Sequence, residues 1–175
     1  MQQAQQRSLS EFIKALQIQA NFECLHCGRC CCFFDPIAIT VRDAERISRY
    51  LDITMEQFLE KFAKKTNASD SGLSLLSHPC VFFREGTGCT VYEARPMICR
   101  MYPPIALFFH GWLKESKCPG MEASNKPCID PALESDCSYS SLLKIVEAVQ
   151  KQGIPVNIER NEDGSVELKL VRYFM

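Results

Sequence analysis

The chain lacks an excess of either charge: 20 Lys and Arg stand against 21 Asp and Glu, a formal net charge of −1. No block of like charge is longer than Lys64–Lys65. Such a balance gives no electrostatic steering toward nucleic acid or anionic lipid, so neither partner is expected. Tryptophan occurs once, at Trp112, and the lysines are scattered, which leaves no base-stacking groove. No stretch approaches the ~18 uncharged apolar residues of a membrane-spanning helix. The opening MQQAQQRSLSEFIKALQIQA has no continuous apolar run of the secretory kind, and the expected location is therefore the cytoplasm. Whole chemistries are missing too. There is no G-x-x-x-x-G-K phosphate loop, no dinucleotide fingerprint and no G-x-S-x-G nucleophile turn.

What the chain has in quantity is cysteine. There are eleven, five of them packed into FECLHCGRCCCFFDP, Phe22 to Pro36. In a reducing compartment stable disulfides are rare, and an odd number cannot pair completely within one chain. Metal ligation becomes the leading use. Cys24, Cys27, Cys30 and Cys31 form C-x2-C-x2-C-C, and two-residue spacings let a loop wrap several sulfurs around one metal. Thiolates suit zinc and iron–sulfur clusters rather than hard, oxygen-seeking cations. The run is not the C-x3-C-x2-C of radical S-adenosylmethionine enzymes. A competing reading takes HCGRC, Cys27 and Cys30, as a redox dithiol. That motif normally follows a strand in a βαβ unit, whereas Cys27 follows a helix. His26, between two cysteines, is expected at the surface, and His78 and His110 are expected to be structural. Cys80, Cys89, Cys99, Cys118, Cys128 and Cys137 come singly, Cys118 just before Pro119-Gly120.

The coarse reading is α+β, one small cysteine-rich domain with a loop-built site, short helices and β-hairpins. A first helix is expected over Leu9–Ala20, with Ser8 and Glu11 at capping-box spacing. The cysteine run follows as a loop, and PIAIT as an extended stretch. Thr40 should cap a helix over Val41–Tyr50, with Asp43 at its amino terminus. Thr54 and Gln57 should open another to about Lys65, burying Met55, Phe58, Leu59 and Phe62. CVFF and CTVY suggest a hairpin around Gly86 and Gly88, and ARPMICRMYPP an irregular segment. IALFF and GWL suggest short strands, and Cys118 to Cys137 a long loop or lid. Tyr139–Gln152 should be a helix ended by Gly153, followed by a hairpin turning at Asp163-Gly164.

Three pieces in order, CLHCGRCC, then CVFFREGTGCTVYEARPMICRMYP, then CPG, resemble the YkgJ-type cysteine-cluster family, described as a zinc- or iron-chelating domain. The likeness covers about Phe22 to Gly120 and includes the T-x-x-D helix start at Thr40–Asp43. It implies a metal-binding domain over 22–120, between an N-terminal helix over 1–21 and an extension over 121–175. It also implies Cys24, Cys27, Cys30, Cys31, Cys80, Cys89, Cys99 and Cys118 as the family cysteines. Eight thiols would complete up to two four-thiolate sites, holding Zn²⁺ or a [4Fe–4S] cluster. Side chains of neighbours in an extended loop point apart, so Cys30 and Cys31 can serve different centres, with Cys32 a spare packed beside Phe33 and Phe34. The alternative is a single centre of four cysteines, the others being structural. Arg95 and Arg100 are expected at the cofactor, offsetting thiolate charge and donating to sulfur. Three roles stay open: an iron–sulfur redox protein or enzyme accessory, a structural-zinc module that binds a protein partner, and methyl transfer, since related clusters occur in flagellin lysine methylases.

Overall fold

The structure, a computed structural model, describes residues 9–33, 36–67, 71–76, 78–110, 118–124 and 139–170. Its helices are α1 (Leu9–Ala20), α2 (Arg29–Phe33), α3 (Val41–Tyr50), α4 (Met55–Phe62), α5 (Met97–Met101), α6 (Pro104–His110), α7 (Pro119–Ser124) and α8 (Tyr139–Lys151). The strands are β1 (Ala38–Ile39), β2 (Ala63–Lys65), β3 (Leu73–Leu75), β4 (Phe83–Arg84), β5 (Gly88–Cys89), β6 (Val156–Arg160) and β7 (Val166–Leu170). The chain is thus α+β, and it divides into two compact units. One comprises Met1–Glu23 with Met101–Val171, the other Cys24–Arg100 with Arg172–Met175. Among the described residues no helix is long and apolar enough to cross a membrane.

In the first unit α1 buries Phe12, Ala15, Leu16 and Ile18, a stripe at helical spacing. Phe12 stacks on Phe108 of α6 with ring centroids 5.1 Å apart. Leu142, Ile145, Val146 and Val149 form the buried face of α8, and the left-handed Gly153 (φ 78°) follows its end. β6 and β7 pair antiparallel from Val156↔Leu170 to Arg160↔Val166, and the turn between them uses Gly164 at φ 84°. IALFF is helical here, not a strand: Pro104 supplies a preset first helical position, and Phe108 packs on α1. Cys118 leads directly into α7, so the expected long loop begins as a helix. Its remainder, with Cys128 and Cys137, lies outside the described residues, as do Ser8 and GWL.

The second unit is organised by two capping boxes. Thr40 Oγ1 accepts from the Asp43 amide while the Asp43 carboxylate accepts from the Thr40 amide, and Thr54 and Gln57 repeat the arrangement. The antiparallel sheet has the order β1-β3-β2, registered at Ala38↔Ser74 and Ala63↔Leu75. That pairing explains why α4 stops at Phe62 rather than Lys65: Ala63 turns extended (φ −126°, ψ 156°) to join β3, and long-range pairing overrides local propensity. Leu59, expected in the core, is 37% exposed, because α4 faces the core mainly through Phe58. Ile39, Ile47, Phe58 and Val91 are the fully buried centre, with Cys80 and Phe82 in the same cluster. β4 and β5 make the expected hairpin. Two further corrections bear on the site. The cysteine run is not all loop, since Cys30, Cys31 and Cys32 lie on α2. ARPMICRM is a 3-10 turn (Tyr92–Ala94) running into α5 rather than an irregular segment.

Candidate metal centre

Seven of the eight family cysteines, Cys24 to Cys99, belong to the second unit. Cys118 belongs to the first, in a cluster with Ile18, Phe22, Tyr102 and Met121. Gly28 lets the ligand loop turn sharply: its φ is +71°, and its carbonyl accepts the first helical bond of α2, from the Cys32 amide at 2.9 Å. On α2 successive side chains are about 100° apart rather than opposed. The Cys30 and Cys31 sulfurs consequently stand 3.9 Å from each other, and the extended-loop reason for separate centres falls away. Zn–S bonds of about 2.3 Å in a tetrahedron put thiolate sulfurs about 3.8 Å apart, so this pair already has the length of one coordination edge. Cys32 is exposed rather than packed as a core spare, and His78 Nε2 lies 2.6 Å from its carbonyl oxygen.

Backbone contacts bring the other thiols to this helix. The Cys80 amide donates to the Cys31 carbonyl at 2.8 Å, fixing the start of the hairpin segment against α2. Gly88, on β5 beside Cys89, lies under the ligand loop. A Cβ there would meet the His26 Cβ at 2.7 Å. Gly86 has the same φ of +81° and open space around it, which makes a matched pair. Gly88→Ala is expected to destabilise the protein by about 1–3 kcal/mol more than Gly86→Ala, the difference isolating the contact of hairpin and ligand loop. Comparative thermal unfolding of the two variants measures it, and equal losses would show that the loop yields freely.

The thiols of this unit influence one another's charge. Acceptance of a hydrogen bond from Cys31 lowers the Cys30 thiol to about 7, against the pull of burial and with help from Arg95. Cys31, as the donor, is pushed far up. Burial raises Cys24, Cys80, Cys89 and Cys99, Cys80 to about 11, and each of the four also feels the negative charge of Cys30. Cys27 is exposed and acts on Cys24.

Three of these thiols are lowered by nearby backbone amides two residues on, against the larger pull of burial: Cys24 by His26, Cys80 by Phe82 and Cys89 by Val91. A nearby N–H dipole favours thiolate over thiol, which is what a metal ligand requires. Arg95 adds a full positive charge, lowering Cys24, Cys30 and Cys89. Its guanidinium stacks 3.9 Å from the Tyr92 ring centroid and donates to the Tyr92 carbonyl at 2.8 Å. The Tyr92 ring also meets His26, exposed as expected, at 4.7 Å between centroids. Arg100 donates to the carbonyls of Arg95 and Glu93, bracing the turn that carries Arg95.

Among the described residues no three His, Cys, Asp or Glu side chains are drawn into a closed coordination shell. The donor set nonetheless fits a soft metal. Among the described residues it offers sulfur donors whose thiolates the charge of Arg95 favours, which suits a soft metal over a hard, oxygen-seeking cation. The sequence reading missed the pair that supports Arg95. Asp43, 1% exposed, accepts from Arg46 and from the Met97 amide, and Arg46 donates to the carbonyls of Ala94 and Arg95. The T-x-x-D helix start was the visible signal, but only a helix cap could be read from it.

Comparison with known proteins agrees with the thiolate chemistry of this chain. The family described as "CxxCxxCC: Putative zinc- or iron-chelating domain" matches residues 23–129. An uncharacterized protein of Methanocaldococcus jannaschii, MJ0661, is 31% identical over 83 residues, 47% of this chain and 44% of its own. The chain therefore aligns with less than half the length of that relative. No solved structure matches significantly.

Proposed function

The chain belongs to the CxxCxxCC family of zinc- or iron-chelating domains, and from that premise we propose that it holds zinc or iron in a thiolate centre nucleated on Cys30 and Cys31. Ligands are drawn from Cys24, Cys27, Cys30, Cys31, Cys80, Cys89 and Cys99, and Arg95 offsets their charge. The observation that carries this reading is the 3.9 Å between the Cys30 and Cys31 sulfurs, in a unit where Cys31, Cys80, Cys89 and Cys99 all pack on one hydrophobic cluster. Such a centre contributes its binding free energy to folding when the metal is zinc, and electron transfer when it is an iron–sulfur cluster.

Two loadings are supported by different features. The 3.9 Å edge between Cys30 and Cys31 favours a single tetrahedral ion on that pair, because the thiolates of a cubane bind separate irons at separate corners. The positive charge of Arg95, which lowers Cys24, Cys30 and Cys89, favours a [4Fe–4S] cluster, whose potential responds to nearby charge. Anaerobic purification with visible absorption and elemental analysis on one sample separates them. Iron with sulfide and a broad visible band supports the cluster and a redox or accessory role. Stoichiometric zinc without colour supports a folding module that presents a surface to a protein partner. A folded protein without metal would sink both and favour a dithiol reading, with Cys30 the reactive thiol.

The raised thiols fix the sign of the pH dependence. Cys24, Cys31, Cys80, Cys89 and Cys99 hold their protons more tightly than ordinary cysteines, so each of them that ligates at neutral pH must release one. Apparent zinc affinity is expected to rise with pH from 6 to 8, by about tenfold per unit for each proton released. Competition against a chromophoric chelator at several pH values gives the slope, and a flat profile would contradict ligation by these thiols.

A further inference from the structure

One buried carboxylate serves two helices. Asp43 Oδ2 accepts from the Thr40 amide at 3.0 Å and the Thr40 hydroxyl at 2.9 Å, completing the cap of α3. Its other oxygen, Oδ1, accepts from the Met97 amide at 3.0 Å. Met97 is the first residue of α5, where an amide has no partner within its own helix, so Asp43 caps α5 from 54 residues away. Capping α3 alone needs neither the second oxygen nor near-complete burial.

Arg46, one turn along α3, pairs with the same Oδ1 and donates to Ala94 O at 3.3 Å and to Arg95 O at 2.8 Å. Backbone on both sides of Pro96 is thereby tied to α3. That short segment carries two groups of the centre: Arg95, whose charge reaches Cys24, Cys30 and Cys89, and Cys99, in the first turn of α5.

We propose that Asp43 and Arg46 are positioning residues for the thiolate centre, the shared carboxylate and its arginine holding Arg95 and Cys99 in register with the thiols of α2 and the β4–β5 hairpin. This rests on the metal reading above and adds to it a determinant outside the cysteine pattern. Both residues hold the backbone from Ala94 to Met97, and the Asp43 charge also bears on Cys99.

The test compares Asp43→Asn with Thr40→Ala, which removes the threonine's part of the α3 cap and leaves the Asp43 contacts to Met97 and Arg46. Zn²⁺ affinity by chelator competition, the thiolate-to-Co²⁺ charge-transfer spectrum and Met97 amide hydrogen exchange are measured on the full chain. Asp43→Asn is expected to weaken metal binding tenfold or more and to shift the Co²⁺ spectrum, whereas Thr40→Ala stays within about twofold of wild type. Wild-type affinity and spectrum in Asp43→Asn, or equal losses in both variants, overturn the proposal. Should Asp43→Asn not fold, Arg46→Lys serves instead: it keeps the charge, but an ammonium cannot span Asp43 and two carbonyls as the guanidinium fork does. If the wild type takes up neither Zn²⁺ nor Co²⁺, the metal reading itself has failed. Exchange in the apoprotein then decides the clamp: Met97 exchanging at least tenfold faster in Asp43→Asn than in Thr40→Ala supports it, and equal rates refute it.

Discussion

Replacing Cys31 by serine is expected to lower zinc or iron affinity at least about 100-fold, and replacing Cys30 likewise, while Cys32→Ser stays near wild type. A serine hydroxyl is almost isosteric with the thiol but does not ionise at neutral pH, so it removes a soft anionic ligand without opening a cavity. Both sulfurs lie on α2 at 3.9 Å, one coordination edge, whereas Cys32 is exposed. The bond from the Cys80 amide to the Cys31 carbonyl is made by backbone and survives the substitution. Loss of metal in Cys31→Ser is therefore a loss of ligation rather than of fold. Elemental analysis with chelator competition measures it, and circular dichroism of the apoprotein confirms that secondary structure is kept. Retention of full metal by Cys31→Ser, with loss in Cys32→Ser, would move the nucleus of the centre one residue along α2.

Phe58→Ala is expected to destabilise the metal-free protein by about 3–5 kcal/mol, the usual cost of emptying a fully enclosed aromatic position. Phe58 has no exposed surface and packs against Phe62 at 5.9 Å between ring centroids, and Phe62 against Phe82 at 5.1 Å. Phe82 and Cys80 belong to one buried cluster, so this aromatic run ends beside a proposed ligand. Weaker metal binding should accompany the loss of stability. Leu59→Ala, at a position 37% exposed on the same helix, is expected to cost less than about 1 kcal/mol. Denaturant unfolding of the two apoproteins gives the comparison, and similar midpoints would mean that the core of this unit does not centre on Phe58.

Much of this protein is written locally. The boxes Thr40–Asp43 and Thr54–Gln57, the stripes of α1 and α8, and the hairpin with its left-handed Gly164 all follow from residues three, four or a few positions apart, and the structure has each of them. The cysteine spacing likewise points to soft-metal chemistry and to its family before any contact is known. Where pairing is remote, local reading fails. α4 yields Ala63 to β2 because β3 offers hydrogen bonds, and IALFF becomes helical beneath Phe12 instead of extending.

The centre lies on the remote side of that division. Cysteines such as Cys80 and Cys99 look alike in sequence, but a backbone bond ties Cys80 to Cys31, and a carboxylate 54 residues before Met97 caps the helix that carries Cys99. By itself, the sequence determined which thiols are available and the class of metal they suit, because that is a property of thiolate chemistry. Only the tertiary structure decided that the Cys30 and Cys31 sulfurs stand 3.9 Å apart and that Asp43 joins two helices. Direction, burial and mutual charge arise when separate segments are packed together, and no spacing along the chain encodes them.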